Sequence, residues 1–209
     1  EIISFCGPRD KVNNILIIDP FPSLDWGTYY GGTGTETCRA VTVDLPGNPI
    51  IGGDTWSSAN VATVGAHQTS YVSGYDGFIA KFDPSGSLIW ATYYGAMLDD
   101  NIKGLAVDDS SNIFASGPTA STTPIATTGS HQSSFGGGTN DAFLVKLDSN
   151  GARKWGTYYG DAGADGGWNV SVDTANNAVL AGQTASTANI ASVGAWQTVN
   201  NGGTDGFIA

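Results

Sequence analysis

The hexapeptide Trp-x-Thr-Tyr-Tyr-Gly occurs three times, and its spacing constrains the fold more than any other feature of the chain. Consecutive copies begin 64 and 65 residues apart, at Trp26, Trp90 and Trp155. Two further signatures keep the same step: Gly-(Ala/Ser)-(His/Trp)-Gln at 65–68, 129–132 and 194–197, and Asp-(Gly/Ala)-Phe-(Ile/Leu) at 76–79, 141–144 and 205–208. Such a period predicts an array of similar modules. Residues that recur in every copy are expected to build the module rather than to catalyse a reaction.

The second copy indicates how one module is built. Strand-like segments at 101–108, 112–117, 141–148 and 154–159 are separated by two short turns and by one long loop at 118–140. Four short antiparallel strands per copy form a blade, and blades arranged around an axis give a β-propeller. We therefore predict an all-β fold, a β-propeller of four-stranded antiparallel blades with 64–65 residues per repeat.

The apolar pattern of the third strand favours blades over a two-layer sandwich. Phe143, Val145 and Leu147 fall on one face of this strand, while Ala142 and Leu144 fall on the other. A sandwich strand with one solvated face would alternate more cleanly between apolar and polar residues. Blades pack on both sides, so both faces need apolar or small residues.

The repeat divides the chain into a propeller segment at 23–209 and a preceding part at 1–22, the end of another domain or a linker strand. We predict blades at about 36–95, 100–160 and 165–209, with 24–30 as a spare outer strand. The chain lacks an initiator Met and a signal-peptide layout, and it stops within a predicted strand, so we expect a piece of a longer protein. Its spare strand would close the ring in that longer chain; alternatively, two chains pair head to tail.

Several runs of residues resemble the SBBP β-propeller repeat of bacteria, and the resemblance covers roughly residues 15–209. They are Leu105–Gly117, Thr119–Ser121, Gly129–Gln132, Asp141–Leu147 and Trp155–Gly160. The resemblance implies repeat modules of a large bacterial protein, located extracellularly or at the cell surface. It supplies no catalytic residues.

Composition excludes two classes of partner. The net charge is −11, with only eight basic residues and no basic stripe, so we expect no nucleic-acid binding. No apolar run reaches the roughly 18–20 residues that a membrane span needs, so we expect no membrane insertion. Cys6 and Cys38 do not define a disulfide framework, and whether they pair is left open.

The sequence predicts that the protein is not an enzyme. His67 and His131 occupy equivalent loop positions in different copies, and no nucleophile-elbow, zinc-protease or P-loop motif occurs. The alternative is an enzyme whose active site lies on the face formed by the long loops, or in a domain outside this chain.

Binding residues are expected where the copies differ or where charge gathers on the long-loop face. The candidate ligand-binding residues are Trp56, His67, His131 and Trp196. Two interpretations of these aromatic rings are open: they stack on sugar rings of a ligand, or they only pack against other side chains of the protein. The candidate metal ligands are Glu36, Asp100 and Asp165, which hold calcium or form a solvated acidic rim. We expect no cofactor, with calcium as the one candidate. The recurring Gln68, Gln132 and Gln197 are expected to bond the backbone of their own loops.

The sequence thus favours a non-catalytic structural or binding module of a larger exported or cell-surface bacterial protein. Its expected partners are a protein or a glycan at the cell surface, with self-association as a further expectation. A lectin-like adhesion module is the main alternative, and it requires Trp56 and Trp196 to lie on the surface.

Overall fold

The computed structural model describes residues 24–209, together with the backbone of two short strands before them. These strands, β1 (Lys11–Val12) and β2 (Ile15–Leu16), pair in antiparallel fashion. The prediction for residues 1–22 otherwise lies outside the described residues, as does Cys6. Cys38 is exposed.

The rest of the described chain forms three antiparallel sheets in which each strand pairs with the next along the sequence. Blade 1 contains β3 (Glu36–Val43), β4 (Pro49–Thr55), β5 (Asp76–Phe82) and β6 (Leu88–Tyr94). Blade 2 contains β7 (Gly104–Val107), β8 (Ile113–Thr119), β9 (Asp141–Leu147) and β10 (Arg153–Tyr159). Blade 3 contains β11 (Asp165–Val172), β12 (Ala178–Thr184) and β13 (Asp205–Ile208). The predicted all-β fold of four-stranded antiparallel blades is confirmed.

The first hairpin of each blade turns on an Asp that binds an Asn four residues later. Asp44 accepts hydrogen bonds from the backbone and side-chain nitrogens of Asn48, at 2.8 and 3.0 Å. It also forms an ion pair of 2.8 Å with Lys81 on β5. Burial acts to raise the pKa of Asp44, but the bonds from Asn48 and Lys81 outweigh it, so the pKa is lowered. Asp108, Asn112 and Lys146 repeat the arrangement in blade 2.

The blades pack side by side, with their first strands next to one another. β3 contacts β7, and β7 contacts β11, so these inner strands lie where a propeller has its axis. Strand β5 is buried along its whole length, which means that both of its faces are covered. The largest apolar cluster joins Ile79 and Tyr94 of blade 1 to Ile102 and Phe143 of the next blade.

The Trp-x-Thr-Tyr-Tyr strand fastens its blade to the following one. The Trp90 Nε1–H of β6 donates to the Ser149 carbonyl of blade 2 at 3.1 Å, and its ring lies against Gly151. The Tyr94 hydroxyl donates to the Ile125 carbonyl, also in blade 2, at 2.9 Å. The preceding Tyr93 turns the other way and bonds the Ser57 carbonyl of its own blade at 2.7 Å. One strand therefore ties two blades.

Gly151 is required where this contact is made. Its φ is +84°, and a Cβ built on it would lie 2.9 Å from the Trp90 ring. Gly86, with φ +88°, stands in the same relation to Trp26. The indole of the previous repeat thus packs directly against the glycine of the outer hairpin turn, where a side chain would collide with it.

Residues 24–30 form no strand, whereas the sequence predicted a spare outer strand there. No strand lies beside them in the described part of the chain, so they have no partner for strand pairing. Their side chains nevertheless make the contacts of a fourth strand. Trp26 Nε1–H donates to the Pro84 carbonyl at 2.9 Å, and the Tyr30 hydroxyl donates to the Val61 carbonyl at 2.7 Å. Tyr29, whose own blade would lie on the other side, is fully exposed.

The three blades do not close a ring within residues 24–209. β13 pairs with β12 along one edge, and among the described residues no strand pairs with its other edge. Ring closure by residues 24–30, or by a second chain, remains a prediction.

Analytical ultracentrifugation of the 209-residue chain tests ring closure by a second chain. Monomers at all concentrations would contradict it.

Replacing Trp90 by Ala should lower the free energy of unfolding by about 3–5 kcal/mol, because a large buried side chain is removed from the junction of two blades. Urea unfolding followed by tyrosine fluorescence and circular dichroism measures the change. Trp196→Ala is the matched control, since Trp196 is fully exposed and its loss should cost less than about 0.5 kcal/mol. Equal losses in the two variants would contradict the role assigned to Trp90.

Candidate functional site

The long loops and the loops that connect consecutive blades meet at one end of the molecule, which we call the loop face. The amide of Leu98, in the connection to blade 2, donates to the Ser121 Oγ at 3.1 Å, where the long loop of that blade begins. Gly163 and Ser186 repeat this bond in blade 3 at 2.9 Å. The two kinds of loop therefore share one face.

The recurring glutamines hold the long loops in place, as predicted. The Gln68 Nε2 donates to the Ser70 carbonyl at 3.1 Å, and its Oε1 accepts from the Gly95 amide at 3.1 Å. Gln132 makes the equivalent bonds to Ser134 and Gly160. Gln68 and Gln132 therefore bridge their loops to the end of the fourth strand, while Gln197 donates to the Val199 carbonyl of its own loop at 2.8 Å.

The three candidate metal ligands occupy one repeated position, and each lies in a separate blade. The Asp100 carboxylate accepts hydrogen bonds from the Thr119 and Ser121 hydroxyls and from the Ala96 amide. Asp165 is held in the same way by Thr184, Ser186 and the Asp161 amide. Glu36 accepts from Thr55, Ser57 and the Gly32 amide. These carboxylates anchor the start of the long loop to the blade connection.

The predicted solvated acidic rim is wrong for two of these three residues. Asp100 and Asp165 are completely buried, because the Thr-x-Ser segment at the start of each long loop folds over them. Within residues 24–209, no three His, Cys, Asp or Glu side chains come together as metal ligands. Calcium binding therefore remains a prediction to which this geometry adds no ligand set.

A second acid lies opposite each of these carboxylates, a pairing that the sequence reading missed. Asp76 of β5 faces Asp100, and a Cβ built on Gly95 would lie 2.8 Å from an oxygen of each. Asp141 and Asp165 stand in the same relation around Gly160. Burial, with a smaller contribution from Asp100, raises the pKa of Asp76 to about 7. Burial raises that of Asp141 to about 6.

The two histidines lie at equivalent blade junctions, as the repeat predicts. His67 is half-buried, and its ring centroid lies 5.9 Å from that of Tyr94. His131 is exposed and stacks at 5.9 Å on Tyr159. Burial, followed by the charge of Arg153, lowers the pKa of His67, so the imidazole is neutral at pH 7. The two histidines lie in separate clefts, so they do not form one site.

A cleft of about 610 Å³ opens between blades 1 and 2. His67, Tyr94, Pro124 and Arg153 line its walls, and Met97, which is 75% exposed, stands at its rim. The Arg153 Nη1 donates to the carbonyls of Pro124 and Ile125 at 3.1 and 3.3 Å, so the guanidinium is held at the cleft wall. The cleft thus combines one fixed positive charge with apolar surface.

Arg153 and Met97 were missed by the sequence reading, although a signal was available. The counterpart of Arg153 in the first copy is Leu88, and the counterpart of Met97 in the third is Ala162. Both positions differ between copies, as Trp56 does. Neither residue is aromatic or acidic, so residue type alone does not indicate binding.

A second cleft, of about 960 Å³, lies between blades 2 and 3. It is lined by His131, Tyr159, Trp196 and the open side of β13. Trp196 is fully exposed.

Trp56 lies at a different place on the loop face. Its side chain is 55% exposed, and its ring packs at 4.9 Å on Tyr75. The four candidate ligand-binding residues are therefore spread over three places: His67 in the first cleft, His131 and Trp196 in the second, and Trp56 beside Tyr75.

Repeated four-stranded antiparallel sheets, joined by long loops and packed around their inner strands, define the blades of a β-propeller. Residues 89–122 match the family model of the SBBP β-propeller repeat. The match runs from the fourth strand of blade 1 to the Thr-x-Ser segment of blade 2. The resemblance found in the sequence is confirmed for these residues.

A relative supports the same class of fold. The chain is 27% identical over 197 residues to an uncharacterized WD repeat-containing protein, L264, of Acanthamoeba polyphaga mimivirus. The alignment covers 81% of this chain and 13% of that protein. The chain therefore spans a small part of the relative's length.

Replacing Gly95 by Ala should destabilise the first junction by about 1–3 kcal/mol, because the added methyl group would press against the buried Asp76 and Asp100 carboxylates. Thermal unfolding and urea unfolding measure the loss. Gly166→Ala is the control, since the nearest atoms to a Cβ at that site lie at 3.7 Å. A Gly95→Ala protein as stable as the control would contradict this packing.

Proposed function

We propose that the chain is a non-catalytic binding module of a larger protein, and that it binds a protein segment in the cleft between blades 1 and 2. The observation that carries this proposal is the position of Arg153 and Met97, two residues particular to their copies, in the same open cleft. Residues that recur in every copy are engaged in holding the blades and loops together. The variable side chains are therefore the ones left to select a partner.

The chemistry of the cleft specifies what it would bind. Since His67 is neutral at pH 7, Arg153 carries the positive charge of the cleft lining. Met97 is 75% exposed and adds apolar surface to the same cleft. Arg and Met are enriched at protein interfaces, and Lys is depleted there. A segment with an acidic side chain next to an apolar one matches both features.

The exported or cell-surface setting in a bacterium is part of the same proposal. It is the setting that the SBBP-type repeat implies. Fractionation of cells that make the full-length protein tests it, and recovery in the cytosol alone would contradict it. No helix among the described residues is long and apolar enough to cross a bilayer.

Peptides selected on the wild-type chain from a random-peptide phage library should share an Asp or Glu next to an apolar residue. Arg153→Leu, which restores the residue of the first copy, should weaken their binding at least about tenfold. Met97→Ala, which restores the residue of the third copy, should weaken it by a smaller factor. Isothermal titration calorimetry measures the dissociation constants.

Lys154→Ala is the matched control for this experiment. Lys154 is the next residue, is exposed, and pairs with Asp148, so its removal changes the net charge equally without touching the cleft. Peptides without a shared pattern, or peptides that bind Arg153→Leu as tightly as the wild type, would contradict the proposal.

Glycan binding is the second candidate function, and the exposed Trp56, which packs on the half-buried Tyr75, favours it. Both tryptophans that the lectin-like alternative places on the surface are exposed. An exposed indole offers a flat apolar face for a sugar ring. Trp56 and Tyr75 together form a platform that the other copies lack, since Ala120 and Ala185 replace Trp56.

On a glycan array, Trp56→Ala should lose at least about tenfold of the signal that the wild type gives, because the stacking face is removed. Tyr29→Ala is the control for a general loss of exposed aromatic surface, since Tyr29 is fully exposed and is not a candidate ligand-binding residue. Repeating the array with calcium and with EDTA tests the calcium prediction in the same experiment. A wild-type chain that binds no glycan, or equal signals from Trp56→Ala and the wild type, would remove this candidate.

A further inference from the structure

Each junction between blades contains a pair of buried acids that no basic group neutralises. The pairs are Asp76 with Asp100, between blades 1 and 2, and Asp141 with Asp165, between blades 2 and 3. All four residues are 0% exposed. None of them takes part in the ion pairs found among residues 24–209. The same arrangement at two junctions makes it a property of the repeat.

The two members of a pair differ in their hydrogen bonds. Burial raises the pKa of Asp100, but Asp100 also accepts from two hydroxyls and one amide, which act to lower the pKa and favour the carboxylate. The Asp76 Oδ2 accepts from the Val72 amide at 2.9 Å and from Gln68. The Asp76 Oδ1 is buried and has no partner. It points towards Gly95, where the Asp100 Oδ2 also lies.

The second junction repeats this difference atom by atom. The Asp141 Oδ2 accepts from the Gly136 amide at 2.6 Å and from Gln132 at 3.3 Å. The Asp141 Oδ1 is buried without a partner, on the side of Gly160 where the Asp165 Oδ2 lies. The unpartnered oxygen is therefore a feature of the repeated position.

The other titratable groups near the pairs are acidic or phenolic. Asp76 faces Asp100 across the junction, Tyr71 in its own long loop and Tyr93 on β6, while Asp99 adds a negative charge beside Asp100. Asp141 faces Asp165 across the junction and Tyr158 on β10. Two carboxylates this close in a buried site cannot both keep their charge without a large cost.

We propose that each junction is a proton-binding site, in which the Oδ1 of Asp76 or Asp141 carries the proton while Asp100 or Asp165 stays a carboxylate. The proton removes one of two like charges and turns the unpartnered oxygen into a donor directed towards the opposite carboxylate. Each pair then fastens two consecutive blades through one shared proton.

A metal ion fits these sites less well than a proton. Calcium takes six to eight oxygen ligands, whereas the Asp100 oxygens already accept three hydrogen bonds whose donors occupy that space. No set of three acidic, His or Cys ligands occurs in the described part of the chain. The paired carboxyl groups therefore fit a proton better than they fit a calcium ion.

The expected pH dependence follows from the direction of the pKa shifts. The pKa values of Asp76 and Asp141 are raised from 3.8 to about 7 and about 6. A group with a raised pKa in the folded state binds its proton more tightly there than in the unfolded chain. Its stabilisation is complete below 3.8 and is lost as the pH rises through the folded pKa. The folding equilibrium constant should fall about tenfold per pH unit for each protonated pair in this interval.

The test is urea unfolding of the wild type, Asp76→Asn, Asp141→Asn and Asp205→Asn between about pH 5 and about pH 8. Asparagine keeps the shape of a protonated Asp and places a permanent donor in the pair. Up to about pH 7, the Asp76 pair should contribute about a tenfold fall in the folding equilibrium constant per pH unit in the wild type. Asp76→Asn should lack this contribution, so its pH profile should be flatter by that amount. It should also be more stable than the wild type at pH 8.

Asp205→Asn is the matched control. Asp205 occupies the same repeat position and accepts from Gln197 and the Asn201 amide, but no acid of a following blade opposes it among the described residues. Its replacement removes the same charge and should leave the slope of the profile unchanged. An Asp76→Asn profile parallel to that of Asp205→Asn would overturn the proposal.

Carboxyl-carbon NMR of the wild type gives a second readout that does not depend on how the variants fold. Two carboxyl resonances should titrate near pH 6 and pH 7, and each should vanish in the corresponding variant. Titration of all carboxyls below about pH 5 would overturn the proposal. A calcium effect would also overturn the proposal. If the wild type were more stable in calcium chloride than in EDTA, and if Asp76→Asn removed this difference, the ligand would be the metal ion.

Discussion

The architecture depends on the reach of one strand into the neighbouring blade. In blade 1 this strand contributes Trp90, which seats its indole on the glycine turn of blade 2, and Tyr94, which bonds a loop carbonyl of the same blade. Tyr93 of the same strand bonds its own blade. A single blade would leave these aromatic rings exposed, so the module gains its stability only when another one follows it.

The polar residues of the repeat act at the same junctions. The acid at the end of each blade connection holds the Thr-x-Ser start of the long loop, and the glutamine of that loop holds the end of the fourth strand. A second buried acid completes the junction and leaves one oxygen without a partner. Packing of aromatic rings and hydrogen bonding by carboxyl groups therefore act at the same blade junctions. Binding chemistry is left to the positions at which the copies differ.

The sequence predicted the blades because the residues that join them are the residues that recur. It also predicted the glutamine bonds, since an amide that recurs within a long loop indicates an anchor. It placed Asp100 in a solvated rim because nothing local shows that Thr119 and Ser121 will fold over the carboxylate. The strand expected at 24–30 did not form, as strand pairing depends on a neighbour rather than on the segment itself. The sequence shows that Arg153 differs from its counterpart Leu88, but only the packed structure places it in one cleft with Met97.

Native-state amide hydrogen exchange is the most direct test of blades fastened through their fourth strands. The amides of β6 and of the Gly95 junction should exchange as slowly as those of the inner strands β7 and β8, because the fourth strand opens only when the blades separate. Exchange of β6 at least about a hundredfold faster than β7 and β8 would show an outer strand that frays independently, and it would contradict the account.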